Sequence, residues 1–172
     1  GLLKSAIRSD DPVVYLEHKN IWGVEGEGPD EDVLLPFGKA RIEREGADIS
    51  IVSWSAQLHV ASEAAENLQK KGISAEVIDL RTLWPWDKEA VFSSVEKTGR
   101  LLITHESVAV GGFGAEIAAT VSEHMFKALK HPVRRCAAPR VPISYAPLLE
   151  DMIRVTANNI VDVASTMMDS EN

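Results

Sequence analysis

The sequence predicts an α/β fold in three layers, with a mostly parallel sheet of about five strands between helices. Three observations carry this prediction. Strand-like and helix-like runs alternate from residue 49 to residue 168, and strands joined through helices must lie parallel. The boundaries are marked by residues that stop or start helices, with Gly72 and Gly99 as left-handed ends and Asp87 as a cap. Finally, 172 residues at 45% hydrophobic content form one core of ordinary size without a disulfide or metal.

Each element follows in order. Leu2, Leu3, Ala6 and Ile7 read as the last turns of a helix, which Asp10-Asp11-Pro12 ends because proline disfavours helix in the residue before it. Val13-Val14-Tyr15-Leu16 reads as a short buried strand. One helix and one strand make no domain, so residues 1–19 are expected to be the tail of a preceding one. Residues 20–40 form an acidic Gly/Pro linker, with Gly23, Gly26, Gly28, Pro29, Pro36 and Gly38 among Glu25, Glu27, Asp30, Glu31 and Asp32. Oxygen-ligand loops need a fixed carboxylate spacing, so a solvated crossing is expected here and not a metal site.

The main domain is expected over residues 41–168. Residues 49–54 are apolar and rich in β-formers, and Ser55 stands where a helix N-cap belongs. Leu58, Ala61, Ala65 and Leu68 fall on one helical face. Residues 75–80 are the next strand, and Val91, Phe92 and Val95 lie on the helix after Asp87. Residues 101–104 are a third strand. A long helix then opens at residues 111–114 and carries Ile117, Val121, Phe126 and Leu129. Residues 133–137 are a fourth strand, followed by an irregular stretch through Pro139, Pro142 and Pro147. Ile160, Val161, Ala164 and Met168 mark a closing helix, with the Met167-Met168 pair as core filler, and residues 169–172 are a polar tail.

Composition excludes several function classes. Eighteen basic against 26 acidic residues give a formal charge of −8, and such a surface repels phosphate backbones, so no nucleic-acid partner is expected. No apolar run reaches the length of a membrane span, so no membrane partner is expected either. The single Cys136 has no partner for an internal disulfide and leans towards a reducing, cytoplasmic-type compartment.

In open α/β sheets, ligands bind beyond the carboxyl ends of the strands. Those ends are Ser53-Trp54-Ser55, Arg81-Thr82, His105-Glu106 and Ala138-Pro139. His105 and Glu106 are the most chemical-looking pair, but consecutive strand residues point to opposite faces. The two are expected to order the following loop or an interface, together with Gly112 and Phe113, and not to transfer protons. Gly111-Gly112-Phe113-Gly114 lies between a strand and a helix, where free N–H groups could meet an anion. Its spacing is neither the dinucleotide fingerprint, since Ile117 takes the place of the third glycine, nor a P-loop. Close backbone packing is the expected reason for these glycines; a stand-alone anion-binding module is the competing functional class. His18, His59, His105, His124 and His131 show no zinc spacing, and Ser53 and Ser55 lack the flanking glycines of a nucleophile elbow. Cys136 reads as a small buried hydrophobe, and Trp54, Trp84 and Trp86 as rim or interface packing. No catalytic, cofactor-binding or metal-binding residue is assigned.

Two segments are recognisable as strings: Glu76-Val77-Ile78-Asp79-Leu80-Arg81-Thr82-Leu83 and Gly112-Phe113-Gly114-Ala115-Glu116-Ile117-Ala118. On these, the chain resembles the C-terminal domain of the beta subunit of the thiamine-diphosphate-dependent 2-oxoacid dehydrogenases, a branch of the transketolase-like family. The resemblance makes residues 1–19 the end of the pyrimidine-binding domain. It implies a parent α₂β₂ enzyme that decarboxylates pyruvate or a branched-chain 2-oxo acid and passes the acyl group to a lipoyl acyltransferase; an acetoin dehydrogenase or another transketolase-type enzyme is the alternative. It implies thiamine diphosphate and Mg²⁺ in the parent enzyme, held by parts outside this chain, so that the fragment alone binds no cofactor and is inactive. The implied partners are the alpha subunit, a second beta subunit and the peripheral-subunit-binding domain of the acyltransferase core. The implied location is the cytoplasm of a bacterium or the mitochondrial matrix of a eukaryote. Arg140 and Lys130 depart from the pattern, standing where relatives carry aspartate and an acidic residue near the docking surface; where docking pairs carboxylates with arginines, this weakens it.

Overall fold

The computed structural model describes residues 1–26, 28 and 31–169. Helix α1 (Leu2–Ile7) stands apart from an α/β unit made of β1 (Arg41–Arg44), β2 (Ile49–Ser53), α2 (Ala56–Lys70), β3 (Ala75–Asp79), α3 (Lys88–Thr98), β4 (Leu101–Val108), α4 (Gly114–His124), β5 (Arg134–Ala138), α5 (Pro147–Asp151) and α6 (Ala157–Asp169). The sheet order is β1-β3-β2-β4-β5. β3, β2, β4 and β5 run parallel, and β1 is an antiparallel edge paired to β3 through Arg41↔Asp79 and Ile42↔Ile78.

The alternation of side chains along buried strands builds the two cores. Ile49 and Ile51 of β2 and Leu102 of β4 point to the face covered by α2 and α6, where they meet Ala61, Leu68 and Ile160. Val52 of β2 with Leu101 and Ile103 of β4 points to the other face, against Val91 and Val95 of α3 and Ile117 and Val121 of α4. Buried polar residues lie within this second face as well, Ser50 among them. Ser50 is fully buried and its hydroxyl is satisfied by Ser94 Oγ at 2.5 Å and Thr98 Oγ1 at 2.7 Å, both on α3.

Several expectations are met and several are corrected. Gly99 ends α3 at φ 72°, and Gly72, at φ 80°, follows α2. Ser55 precedes α2 but makes no side-chain cap, and its backbone lies at φ 56°, ψ −143°. Residues 13–16 form no strand, since no neighbouring strand lies beside them among the described residues, and Val14 and Leu16 are left exposed. The domain expected from residue 41 opens on a strand the sequence reading did not single out, β1.

The helix opening at Gly114 ends at His124, short of Phe126 and Leu129. The chain turns at Met125, and the Lys130 N–H donates to Gly99 O at 2.8 Å, which draws residues 126–130 back to the end of α3. Phe126 is therefore exposed, while Leu129 packs on the α3–α4 core. In α6 it is Met167, not Met168, that is fully buried. The stretch through Pro147 is interrupted by the short α5, with Pro147 in its first turn. In the acidic linker Asp32 pairs with Lys4 and Arg8 of the α1 segment; Glu27, Pro29 and Asp30 lie outside the described residues, as do residues 170–172 of the expected polar tail.

Candidate functional site

β3 lies on one side of β2 and β4 on the other, so the crevice between the carboxyl ends of β2 and β4 is the switch point of the sheet, where such folds hold ligands. The predicted strand ends Ser53-Trp54-Ser55, Arg81-Thr82, His105-Glu106 and Ala138-Pro139 all lie at this end of the sheet, because their strands run parallel.

His105 and Glu106 part company here as strand geometry requires. His105 turns inward and is 1% exposed. Its ring lies against Trp54, centroids 5.2 Å apart and planes 20° from parallel, and Phe113 meets Trp54 edge-on at 6.1 Å. Nδ1 lies 2.8 Å from the Ser107 hydroxyl and 3.0 Å from the Ser107 carbonyl. Nε2 is buried with no hydrogen-bond partner. Burial pushes the His105 pKa down, the bond to the Ser107 backbone opposes this, and the Arg135 charge adds to it. Glu106 turns outward and meets His18 Nε2 at 2.5 Å, tying the segment after residue 12 to the end of β4.

Gly112 and Gly114 are shaped by the same ring. A Cβ at Gly112 would fall 2.4 Å from Val108 O and 2.7 Å from His105 Cε1; one at Gly114 would fall 2.5 Å from His105 Nε2. The space in front of these glycines is thus filled by an imidazole and a carbonyl, not open to an anion. The turn is reached through a break in the β4–β5 register between His105 and Val108, with Gly111 at φ 74°.

On the outer side of the crevice lies a shallow groove of about 330 Å³, bounded by Asn20, Ile21, Ala56, Gln57, Glu106 and Arg154. Gln57 is buried, and its amide N–H groups donate to Thr104 Oγ1 at 3.3 Å and Val155 O at 3.4 Å, so it joins α2, β4 and the segment before α6. Arg154 is taken up by Glu150 at 2.7 Å. At the end of β3, burial pushes the Asp79 carboxyl up, against an N–H bond from Arg81 and the Arg81 and Arg41 charges. Cys136 is buried, with its thiol pushed up to about 11 by burial, which leaves it protonated and unreactive at neutral pH.

Ser107 and Gln57 are two polar residues at this end that the sequence reading did not single out. Ser107 had a signal, a hydroxyl two residues after a strand-end histidine; Gln57, on the apolar stripe of α2, had none. The sequence has no Gly-Asp-Gly motif, and no group of three His, Cys, Asp or Glu among the described residues could hold a metal. No described helix is long and apolar enough to cross a membrane.

Residues 38–160 match the transketolase C-terminal domain family. Over 162 residues the chain is 43% identical to the 2-oxoisovalerate dehydrogenase subunit beta of Bacillus subtilis, covering 93% of this chain and 50% of that protein. It is 44% identical over 168 residues to the acetoin:2,6-dichlorophenolindophenol oxidoreductase subunit beta of Cupriavidus necator, covering 98% and 50%. To the mitochondrial pyruvate dehydrogenase E1 component subunit beta of Dictyostelium discoideum it is 46% identical over 168 residues, covering 95% and 47%. Among solved structures it is similar to a split-gene transketolase in an inactive beta4 tetramer, with a TM-score of 0.70 at 27% identity, covering 82% of this chain and 45% of that one. The chain spans about half the length of the curated relatives it matches.

Proposed function

The chain belongs to the transketolase C-terminal domain family, and on that premise we propose that it is the C-terminal portion of the beta subunit of a 2-oxoacid dehydrogenase. In this reading the parent α₂β₂ enzyme oxidatively decarboxylates a 2-oxo acid on thiamine diphosphate and hands the acyl group to a lipoyl acyltransferase. The supporting observation is that relatives of three substrate types, each a beta subunit, match more than nine-tenths of this chain. The 43, 44 and 46% identities stand side by side, so the acetoin-cleaving type is the second reading.

Within that enzyme the chain acts as a subunit-interface domain without catalytic residues of its own. This is supported by the run of exposed apolar side chains in residues 141–152, where Ile143, Tyr145, Leu148 and Met152 are 79, 101, 81 and 79% exposed. Residues 1–19 are the end of the pyrimidine-binding domain, residues 20–40 the linker and residues 41–168 the interface domain. His105, Glu106, Gly112 and Phe113 order the turn into α4 and the crossing at His18. The alpha subunit and a second beta subunit are the partners, with the peripheral-subunit-binding domain of the acyltransferase as a further one. The location is the bacterial cytoplasm or the mitochondrial matrix, the second in keeping with the mitochondrial relatives.

The test is co-expression of the complete subunit with the alpha subunit from the same genome. A heterotetramer that decarboxylates a 2-oxo acid only with thiamine diphosphate and Mg²⁺ is expected. A subunit that fails to join alpha, or an assembly that cleaves acetoin and no 2-oxo acid, overturns the first reading.

A further inference from the structure

We propose that His105 is a proton-operated pin: as a neutral imidazole it seats the turn from β4 into α4, and as an imidazolium it unseats it. The inference deepens the loop-ordering role proposed for His105 and can fail separately from it.

The geometry satisfies only one of the two N–H groups an imidazolium would carry. Nδ1 is engaged by Ser107, either accepting from its hydroxyl at 2.8 Å or donating to its carbonyl at 3.0 Å. Nε2 faces the Gly114 backbone, where even a Cβ would lie 2.5 Å away, and it has neither a partner nor solvent. That wall is the first turn of α4, whose N-terminus carries the positive end of the helix dipole. Protonation would therefore bury a charge with an unsatisfied N–H against a positive field, and both effects disfavour the seated state.

The charged groups around the ring do not relieve this. From β5, Arg135 adds positive charge. On β4 itself Glu106 points away to His18. On α4, Glu116 accepts from the Thr120 hydroxyl at 3.4 Å. The element before α2 offers only the neutral Trp54 face, whose attraction for a cation is small beside the burial of an unpaired charge. The least costly response is for the ring to leave its seat. Residues 107–113 would then lose the bonds to Nδ1 and the ring that fills the space before Gly112, and Trp54 would lose its stacked neighbour.

The sign follows from linkage. The seated state binds the proton less well than an opened one, so opening is favoured as pH falls below about 6.5, the ordinary histidine value. One linked proton raises the opening constant by at most about tenfold per pH unit below that value.

The test is amide hydrogen exchange in the whole protein at roughly pH 7.5 and 5.5, corrected for the intrinsic pH dependence of exchange. Amides of residues 108–113 are expected to open about three- to tenfold more at the lower pH, while those of β2 do not change. In His105→Gln the turn should lose this pH response. Unchanged opening in the native protein, or the same response in H105Q, overturns the proton-operated pin. A turn that loosens in H105Q at both pH values while the native turn ignores pH leaves the ordering role and removes the switch. Should H105Q not fold, the ¹³Cε1 resonances of the native histidines decide it: His105 must titrate in step with the opening, and opening while His105 remains neutral overturns the proposal.

Discussion

The carboxylate of Asp87 holds two backbone groups at once: one oxygen accepts the Ala90 N–H at 3.1 Å and the other the Ala40 N–H at 3.0 Å. The first bond caps α3; the second fastens the end of the 20–40 crossing to the sheet side of that helix. Asp87 is itself buried. Asp87→Ala is expected to destabilise the protein by about 2–3 kcal/mol, more than the typical cap, because a second buried N–H is orphaned. Asp87→Asn, which can keep both acceptor positions only in part, should lose less. Urea denaturation of the two variants measures the difference.

Ser55 sits at φ 56°, ψ −143°, where a Cβ is strained and its hydroxyl gives the helix no cap. Relief of a residue held at positive φ is worth about 1–3 kcal/mol, and glycine's extra chain entropy returns roughly 0.5–1 of it. Ser55→Gly is therefore expected to raise the melting temperature by about 2–4 °C for a domain of this size, and Ser55→Val to lower it. An unchanged or lower melting temperature in S55G would show that the Ser55 backbone is not strained.

The same residue shows where sequence reading stops. That a small polar residue separates β2 from α2 is written in the local string, but the sign of φ is set by how the chain must leave a central strand and enter the helix above it. Strands β2 to β5 were legible because apolar runs of fixed length alternate with capped helices. β1 was not, because Arg41-Ile42-Glu43-Arg44 carries three charges and becomes a strand only by pairing with β3 at the sheet edge. Residues 13–16 fail in the opposite sense, having strand composition without a neighbour to pair with. At the candidate site, the divergence of His105 and Glu106 followed from strand periodicity alone. The seat for His105 did not, since it depends on Ser107, Gly112, Gly114 and Trp54 meeting in space.

Asp79 provides a pH-dependent test. Its carboxyl is pushed up by burial, so the folded state binds its proton more readily than the unfolded chain. Stability from this group is present below the ordinary carboxylate range and is lost as the pH rises through the elevated folded value. At neutral pH the ionised group therefore opposes folding. Asp79→Asn keeps the oxygen that accepts the Arg81 N–H at 3.1 Å and is expected to raise stability at pH 7 while changing it little in acid. Denaturant midpoints for native and D79N proteins across that range give the sign directly.

Under the proposed function, Ile143 and Tyr145 are covered in the assembled enzyme. Ile143→Asp paired with Tyr145→Ser should leave the fold intact, since both side chains are exposed in this chain, and should weaken assembly by roughly tenfold or more through a buried charge. The measurement is sedimentation of the co-expressed subunits alongside activity. Normal assembly and activity in the double variant would place these residues on a free surface.

The ion pair beneath α3 gives a further test by substitution of a charged group. Glu76 is 2% exposed within β3, and the Lys97 ammonium of α3 meets it directly and also reaches Glu45 at 3.2 Å. Burial raises the Glu76 carboxyl, but the bonds from Lys97, Ser94 and Glu45 outweigh it and hold the group below its ordinary value. Its stability contribution is thus present above the unfolded carboxylate value and lost as pH falls through the lowered one. Lys97→Met removes the cation and leaves a buried carboxylate with only weaker partners. Lys97 is half-exposed, which lets water compensate in part, so the expected loss is about 1–3 kcal/mol and not the larger cost of breaking a fully buried pair. Lowering the pH should narrow the gap between K97M and the native protein, because protonating Glu76 removes the charge that lost its partner. A gap that stays constant from neutral pH into the carboxylate range would mean the loss comes from the packing of the Lys97 stem.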